Sequence, residues 1–252
     1  MKKVVSWMLL AVFGFSLCYG ALPVVTADAP EGDGAEVTFS DVPEDYWAYI
    51  YVTALEARDV LNGYEDGTFQ PDGDVTRSEY AKFLTLGIEV PLVEVTEPTF
   101  SDIAADSWSF PYVEAVKDFF ITNDDGEDTI FDGEAPASRI DVAVSLVRAL
   151  GLENQDLGEI IDEELAAVFT DCESIPQDLL KLLMIARNNG LIEGYPDGTF
   201  APAGTITRAE TAAVITRGYV LKLANDMNND VDDGINDDID DGVDNGEGNE
   251  EV

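Results

Sequence analysis

Three arginines, Arg77, Arg139 and Arg208, each follow a Ser or Thr, and each stands 38 or 39 residues after a Phe-Ser-Asp or Phe-Thr-Asp triplet. A guanidinium stays charged, and its planar fork holds a carboxylate through two parallel hydrogen bonds. Set at the start of a helix, beside backbone N–H groups with no partner inside the helix, it makes a small receptor for an acid. Around two of the three a longer stretch recurs. "GYEDGTFQPDGDVTRSE" runs from Gly63 to Glu79, and "GYPDGTFAPAGTITRAE" runs from Gly194 to Glu210. Eleven of the seventeen positions are identical, and the copies lie 131 residues apart.

Thr and Glu in these copies have a structural explanation. Thr76 and Thr207 can cap a helix while Glu79 and Glu210, three residues on, reach back to the cap N–H. Such a capping box contributes on the order of 1 kcal/mol. Arg is not explained this way, because the N-terminal end of a helix is its positive end and a cation there costs about 0.3–1 kcal/mol. Binding of an acidic ligand is the favoured reading of the arginines. The competing reading pairs each with a neighbouring carboxylate of the chain, worth about 0–1 kcal/mol if exposed.

Trp47 and Trp108 admit a core position or a stacking platform for sugar, with core favoured by position alone. Tyr64 and Tyr195 follow Gly63 and Gly194, which would let another group approach closely. Asp66-Gly67 and Asp197-Gly198 lack the alternating ligands of a calcium loop and read as turns.

The composition narrows the chemistry. The chain has 52 acids against 13 bases and no histidine, for a net charge of -39. Nucleic acid is therefore a poor partner. The absence of histidine removes the usual general base and the His-dependent nucleophile pairs and zinc sites. A carboxylate-pair glycosidase would need two placed acids in a cleft, and no stretch remains for a catalytic domain once the repeats are counted. No enzyme activity is expected, and no cofactor.

The elements that must position these residues form three units of about fifty residues, beginning at "FSDVPEDYW" (Phe39), "FSDIAADSW" (Phe100) and "FTDCESIPQ" (Phe169). Each reads as helix, loop, helix. In the first unit, spacings of three and four place Trp47, Ile50, Tyr51, Ala54 and Leu55 on one face of a helix over 47–60. The second helix begins at Thr76 and buries Tyr80, Phe83 and Leu84; its counterpart buries Ala212, Val214 and Ile215. The middle unit has "TNDDGEDTIFDGEAPASRID", without the Gly-Tyr pair, and the third has Gln177 where the others have Trp. The units span 39–90, 100–152 and 169–224, with an added acidic helix expected over 153–168.

At the N-terminus, Lys2 and Lys3 precede an apolar run and small residues up to Ala29. This reads as an export signal over 1–27, followed by a linker over 28–38, leaving no transmembrane segment after cleavage. An uncleaved anchor and lipid attachment at Cys18 are less favoured. Once Cys18 is removed, Cys172 has no partner for a disulfide. Residues 225–252 hold twelve acids and no base and read as a disordered, solvating tail. A calcium site using Asp230, Asp232 and Asp237 is the alternative there. It carries a second functional reading, an acidic calcium-binding surface protein.

The motifs resemble the S-layer homology (SLH) repeat: Phe-x-Asp-Val, Trp, Gly-Tyr-x-Asp-Gly-Thr-Phe-x-Pro, then Thr-Arg-Ala-Glu. The resemblance covers residues 39–221. It implies a mainly α fold of three repeats in a pseudo-threefold arrangement around a shared helical core, with grooves between neighbours. It also implies an exported protein at the cell wall, S-layer or cell surface, non-covalently anchored to a peptidoglycan-linked polysaccharide often bearing acidic pyruvyl ketals. Other S-layer proteins are further candidate partners. On this chain Arg77, Arg139 and Arg208 would meet the acid, and Trp47, Trp108, Gly63 and Gly194 would help form the groove walls. Because the general surface would repel an acidic polymer, moderate salt or divalent cations should favour binding. The altered middle loop and Gln177 predict one or two working grooves rather than three.

Overall fold

In the computed structural model, the described residues are 39–122, 129–157 and 169–236, with side chains described to 228. They fall in a unit that begins at Phe39. The signal, the linker, Asp237 and most of the added acidic segment lie outside the described residues. Residues 153–157 are not helical.

Six α-helices are present among the described residues: α1 (Tyr49–Glu56), α2 (Arg77–Ile88), α3 (Phe110–Val116), α4 (Arg139–Ala149), α5 (Gln177–Asn188) and α6 (Arg208–Asn236). Each unit opens with α1, α3 or α5 and closes with α2, α4 or α6. The second helices start where the sequence places them. Thr76 accepts from the Glu79 N–H while Glu79 reaches back to the Thr76 N–H, a complete capping box. Thr207 and Glu210 form the same pair of bonds, at 3.0 and 3.2 Å. In the middle unit Ser138 caps the Asp141 N–H, but the shorter Asp141 carboxylate is engaged elsewhere.

The opening helices differ from expectation. α1 begins at Tyr49 and buries Val52 together with Ala54 and Leu55, the last two as expected, while Ala48 is buried just before it and Trp47 and Ile50 are half-exposed at 53% and 49%. The turns after Pro43 delay the helix start, so the stripe on the core is displaced from the one read in the sequence. Trp108 is 54% exposed. The core reading of both tryptophans is therefore replaced by an exposed position. The closing helices bury Tyr80, Phe83, Leu84, Ala212, Val214 and Ile215 as expected.

Packing follows a cycle. α1 packs on α6, α3 on α2 and α5 on α4, so each opening helix lies on the closing helix of the unit before it, with the first unit taking the third. Closing helices meet at small residues. A methyl group at Gly218 would lie 2.8 Å from Leu146 Cδ1 and 3.0 Å from Ile88 Cδ1, and one at Gly87 would lie 2.2 Å from Ile215 Cγ2. The backbone just before the closing helices completes the cycle: Val75 N–H donates to Ile206 O, Ile206 N–H to Ala137 O and Ala137 N–H to Val75 O, at 2.8–3.2 Å.

The tail departs from the sequence reading. α6 runs to Asn236, past position 225 where disorder was expected to begin. Its middle turns have supports that a composition count does not register, since Lys222 pairs with both Glu89, just past the end of α2, and Asp226 one turn on. Asp230 and Asp232 lie on the backbone of this helix.

Candidate functional site: arginines at the unit junctions

Each loop is built by one acid of its Phe-x-Asp triplet. Asp41 accepts from the Phe69 and Gln70 N–H groups, both at 2.8 Å. Asp102 does the same for Phe131 and Asp132, and Asp171 for Phe200 and Ala201. Gln70, Asp132 and Ala201 all have positive φ, between 54° and 56°. A non-glycine residue resists that conformation, and the bidentate carboxylate holds it. The sequence reading assigned these aspartates no role, although their fixed spacing from the loop Phe is the visible signal.

Asp66 and Asp197 form the reversal itself. Each accepts from the hydroxyl and N–H of the Thr two residues on, and these bonds hold both carboxyls below the ordinary range. Gly63 and Gly194 are required inside the unit. A Cβ at Gly63 would stand 2.2 Å from the Phe39 ring and 2.6 Å from Thr68 O, and one at Gly194 would stand 2.4 Å from Phe169. The close approach that these glycines permit is used by the unit's own Phe.

Arg77, Arg139 and Arg208 are the first residues of α2, α4 and α6, and all are buried. Each side chain leaves its helix end and enters the loop of the next unit. Arg77 Nε donates to Phe131 O at 2.8 Å and Nη2 to Ile121 O at 3.1 Å. Arg139 gives the same pair to Phe200 O and Glu193 O, at 2.9 and 2.7 Å. Arg208 gives it to Phe69 O and Asn62 O, at 2.8 and 2.9 Å. Backbone carbonyls thus supply the negative partial charge that a helix start lacks. The sequence favoured an acidic ligand for each Arg and offered a carboxylate of the chain as the alternative; the structure adds a role that neither named, because Arg fastens each unit to the next through backbone carbonyls.

The remaining nitrogen, Nη1, distinguishes the three. Arg77 Nη1 is ion-paired with Asp141 Oδ2, and both side chains are buried. Asp141 Oδ1 meanwhile accepts from the Ile121 N–H at 3.2 Å. Burial pulls the Arg77 pKa below the ordinary arginine value, against the raising effect of Asp132 and Asp102. Arg139 Nη1 lies 3.5 Å from Glu210 Oε1, a looser contact. Among the described residues Arg208 has no carboxylate within ion-pairing distance, and Glu79, the residue equivalent to Asp141 and Glu210, is committed to its own capping box.

Aromatic rings cover the same junctions. Arg208 lies 5.1 Å from the Tyr64 ring centroid and Arg139 lies 4.5 Å from that of Tyr195. Arg77 instead faces Phe120 at 5.1 Å. The structure thereby brings Arg208 together with the Gly63–Tyr64 loop, Arg139 with the Gly194–Tyr195 loop, and Arg77 with the altered middle loop. Trp47 has the rings of Tyr46 and Tyr51 as neighbours. No helix among the described residues is long and apolar enough to cross a membrane.

Comparison with known proteins agrees with this anatomy. The S-layer homology domain model matches residues 38–81 and 169–212. The middle unit lies outside both ranges while keeping the same loop and arginine bonds. An uncharacterized cell wall amidase of Bacillus anthracis is 31% identical over 180 residues, 71% of this chain and 32% of that protein. S-layer protein EA1 of the same organism is 28% identical over 179 residues, 71% of this chain and 20% of that protein. An amylopullulanase of Thermoanaerobacterium thermosulfurigenes is 29% identical over 178 residues, 71% of this chain and 9% of the enzyme. The chain therefore spans about a tenth to a third of the length of these relatives. Two matched segments, with their motifs in the positions described above, show that the chain carries S-layer homology domains at residues 38–81 and 169–212.

Proposed function

We propose that the chain is a non-catalytic anchor that holds itself to the cell wall by binding an acidic secondary polysaccharide, with a pyruvyl ketal as the recognised acid, in grooves at the unit junctions. It acts at the exported face of the envelope, as an S-layer component or a wall-bound adaptor. The observation that carries this reading is the recurrence of buried arginines at every junction, beside units in which Trp47 and Trp108 stand about half exposed. An exposed indole in a soluble surface gains by covering a sugar face. A guanidinium already oriented by two carbonyls needs little further ordering to receive a carboxylate.

The relatives support anchoring over catalysis: enzymes of unrelated activity and S-layer proteins match over a similar length of this chain. The net charge of -39 opposes approach to an acidic polymer, so binding should strengthen from low to moderate salt or with added divalent cations. The test is a pull-down of the purified full chain with wall sacculi before and after acid extraction of the secondary polymer. Retention on intact sacculi and loss on extracted ones is expected. Equal retention on both would end the polysaccharide reading.

A further inference from the structure

We propose that the junction between the third and first units is the single open acid receptor, and that Asp141 acts as a built-in ligand that closes the junction between the first and second. This deepens the anchoring reading and rests on it. At each junction the fork of the arginine is fixed by Nε and Nη2, leaving Nη1 as the arm available to an acid. At Arg77 that arm is taken by Asp141 Oδ2. At Arg139 Glu210 shares it at 3.5 Å, and the residue standing where the other units have Trp is Gln177, the first of α5.

At Arg208 the arm has no partner among the described residues. The residue is 94% buried by its 6% exposure, yet Nη1 is absent from the fully enclosed, unpaired side-chain atoms among the described residues, so solvent reaches it. A carboxylate arriving there would take the place that Asp141 Oδ2 holds at Arg77, against the Tyr64 ring and on the unit that carries Trp47.

The cause is one methylene. Glu79 and Glu210 are long enough to return to their own cap N–H. Asp141 occupies the same third helical position but makes no such return, and its two oxygens take Arg77 and the Ile121 N–H instead. A capping residue has become an internal substitute for the ligand.

The experiment is calorimetric titration of the full chain with a methyl hexopyranoside carrying a 4,6-pyruvyl ketal, alongside sacculi pull-downs. The native chain should show one site. Arg208→Gln should weaken binding about tenfold or more. Asp141→Glu should restore the capping box at Ser138 and free Arg77, adding a second, weaker site. If Arg208→Gln fails to fold, the native chain labelled with 15N-arginine answers instead: the Arg208 Nε–H resonance should move on titration while that of Arg77 stays. The proposal is overturned if Arg77 responds and Arg208 does not, or if Arg208→Gln binds as the native chain does. Sacculi binding that depends on the polymer but not on Arg208 would overturn it while leaving the anchoring reading intact. Loss of polymer dependence would end both.

Discussion

The Arg77 and Arg208 junctions begin from the same parts and finish differently. Both arginines open a capped helix, and both donate Nε and Nη2 to two carbonyls of the next loop. One then closes on a buried carboxylate, while the other keeps an arm uncommitted. The same side chain can therefore be entirely structural at one junction and half structural at another. The arginine alone does not decide which. The decision lies with the third residue of the neighbouring closing helix, where Asp and Glu differ by one methylene.

The largest separation should appear on removing the arginines. Arg77→Ala strands Asp141 as a buried, unpaired charge and should cost about 3–5 kcal/mol. Arg208→Ala leaves two carbonyls without a donor and no charge stranded, for about 1–3 kcal/mol. Urea denaturation followed by circular dichroism reads both, and equal losses would contradict the contrast drawn here. Next in size, Gly63→Ala and Gly194→Ala force a methyl into the Phe39 or Phe169 ring and a backbone carbonyl, and each should lose about 1–3 kcal/mol in the same assay. If either is neutral, the glycines are free to serve a ligand rather than the loop.

Smaller still are the caps. Thr76→Ala and Thr207→Ala should each cost about 1 kcal/mol, and Asp141→Glu should recover part of a capping box in the middle unit. The smallest effect concerns the exposed turns. Asp66 and Asp197 have folded pKa values depressed below 3.8 by their Thr bonds. Their contribution is therefore fully present above the unfolded value and is lost as pH falls through the folded one. Replacing both with Asn should flatten the stability profile below about pH 4 and change little at neutral pH.

Much of this fold could be read from the sequence, because its signals are local. The Thr-x-x-Glu spacing fixed two helix starts to the residue, and the Asp-Gly pairs fixed two turns. What escaped was long-range. Nothing near Arg208 in the chain indicates that Phe69 O, 139 residues away, will receive its Nε–H. The alternation of apolar residues around Trp47 implied a buried face, but the turns after Pro43 moved the helix start and put the indole outside. Asp41, Asp102 and Asp171 were visible as part of a repeat, yet their task of holding a left-handed residue some thirty positions later becomes apparent only in three dimensions. The Asp141 substitution was legible in "SRID", whereas its consequence required knowing that Arg77 lies across from it.

The most direct measurement is a pair of double-mutant cycles, Arg77/Asp141 and Arg208/Glu79, each residue changed to Ala singly and together, with stability read by denaturant unfolding. The account predicts a coupling of about 1–3 kcal/mol for the first pair and none beyond error for the second. Comparable coupling in both pairs would contradict it.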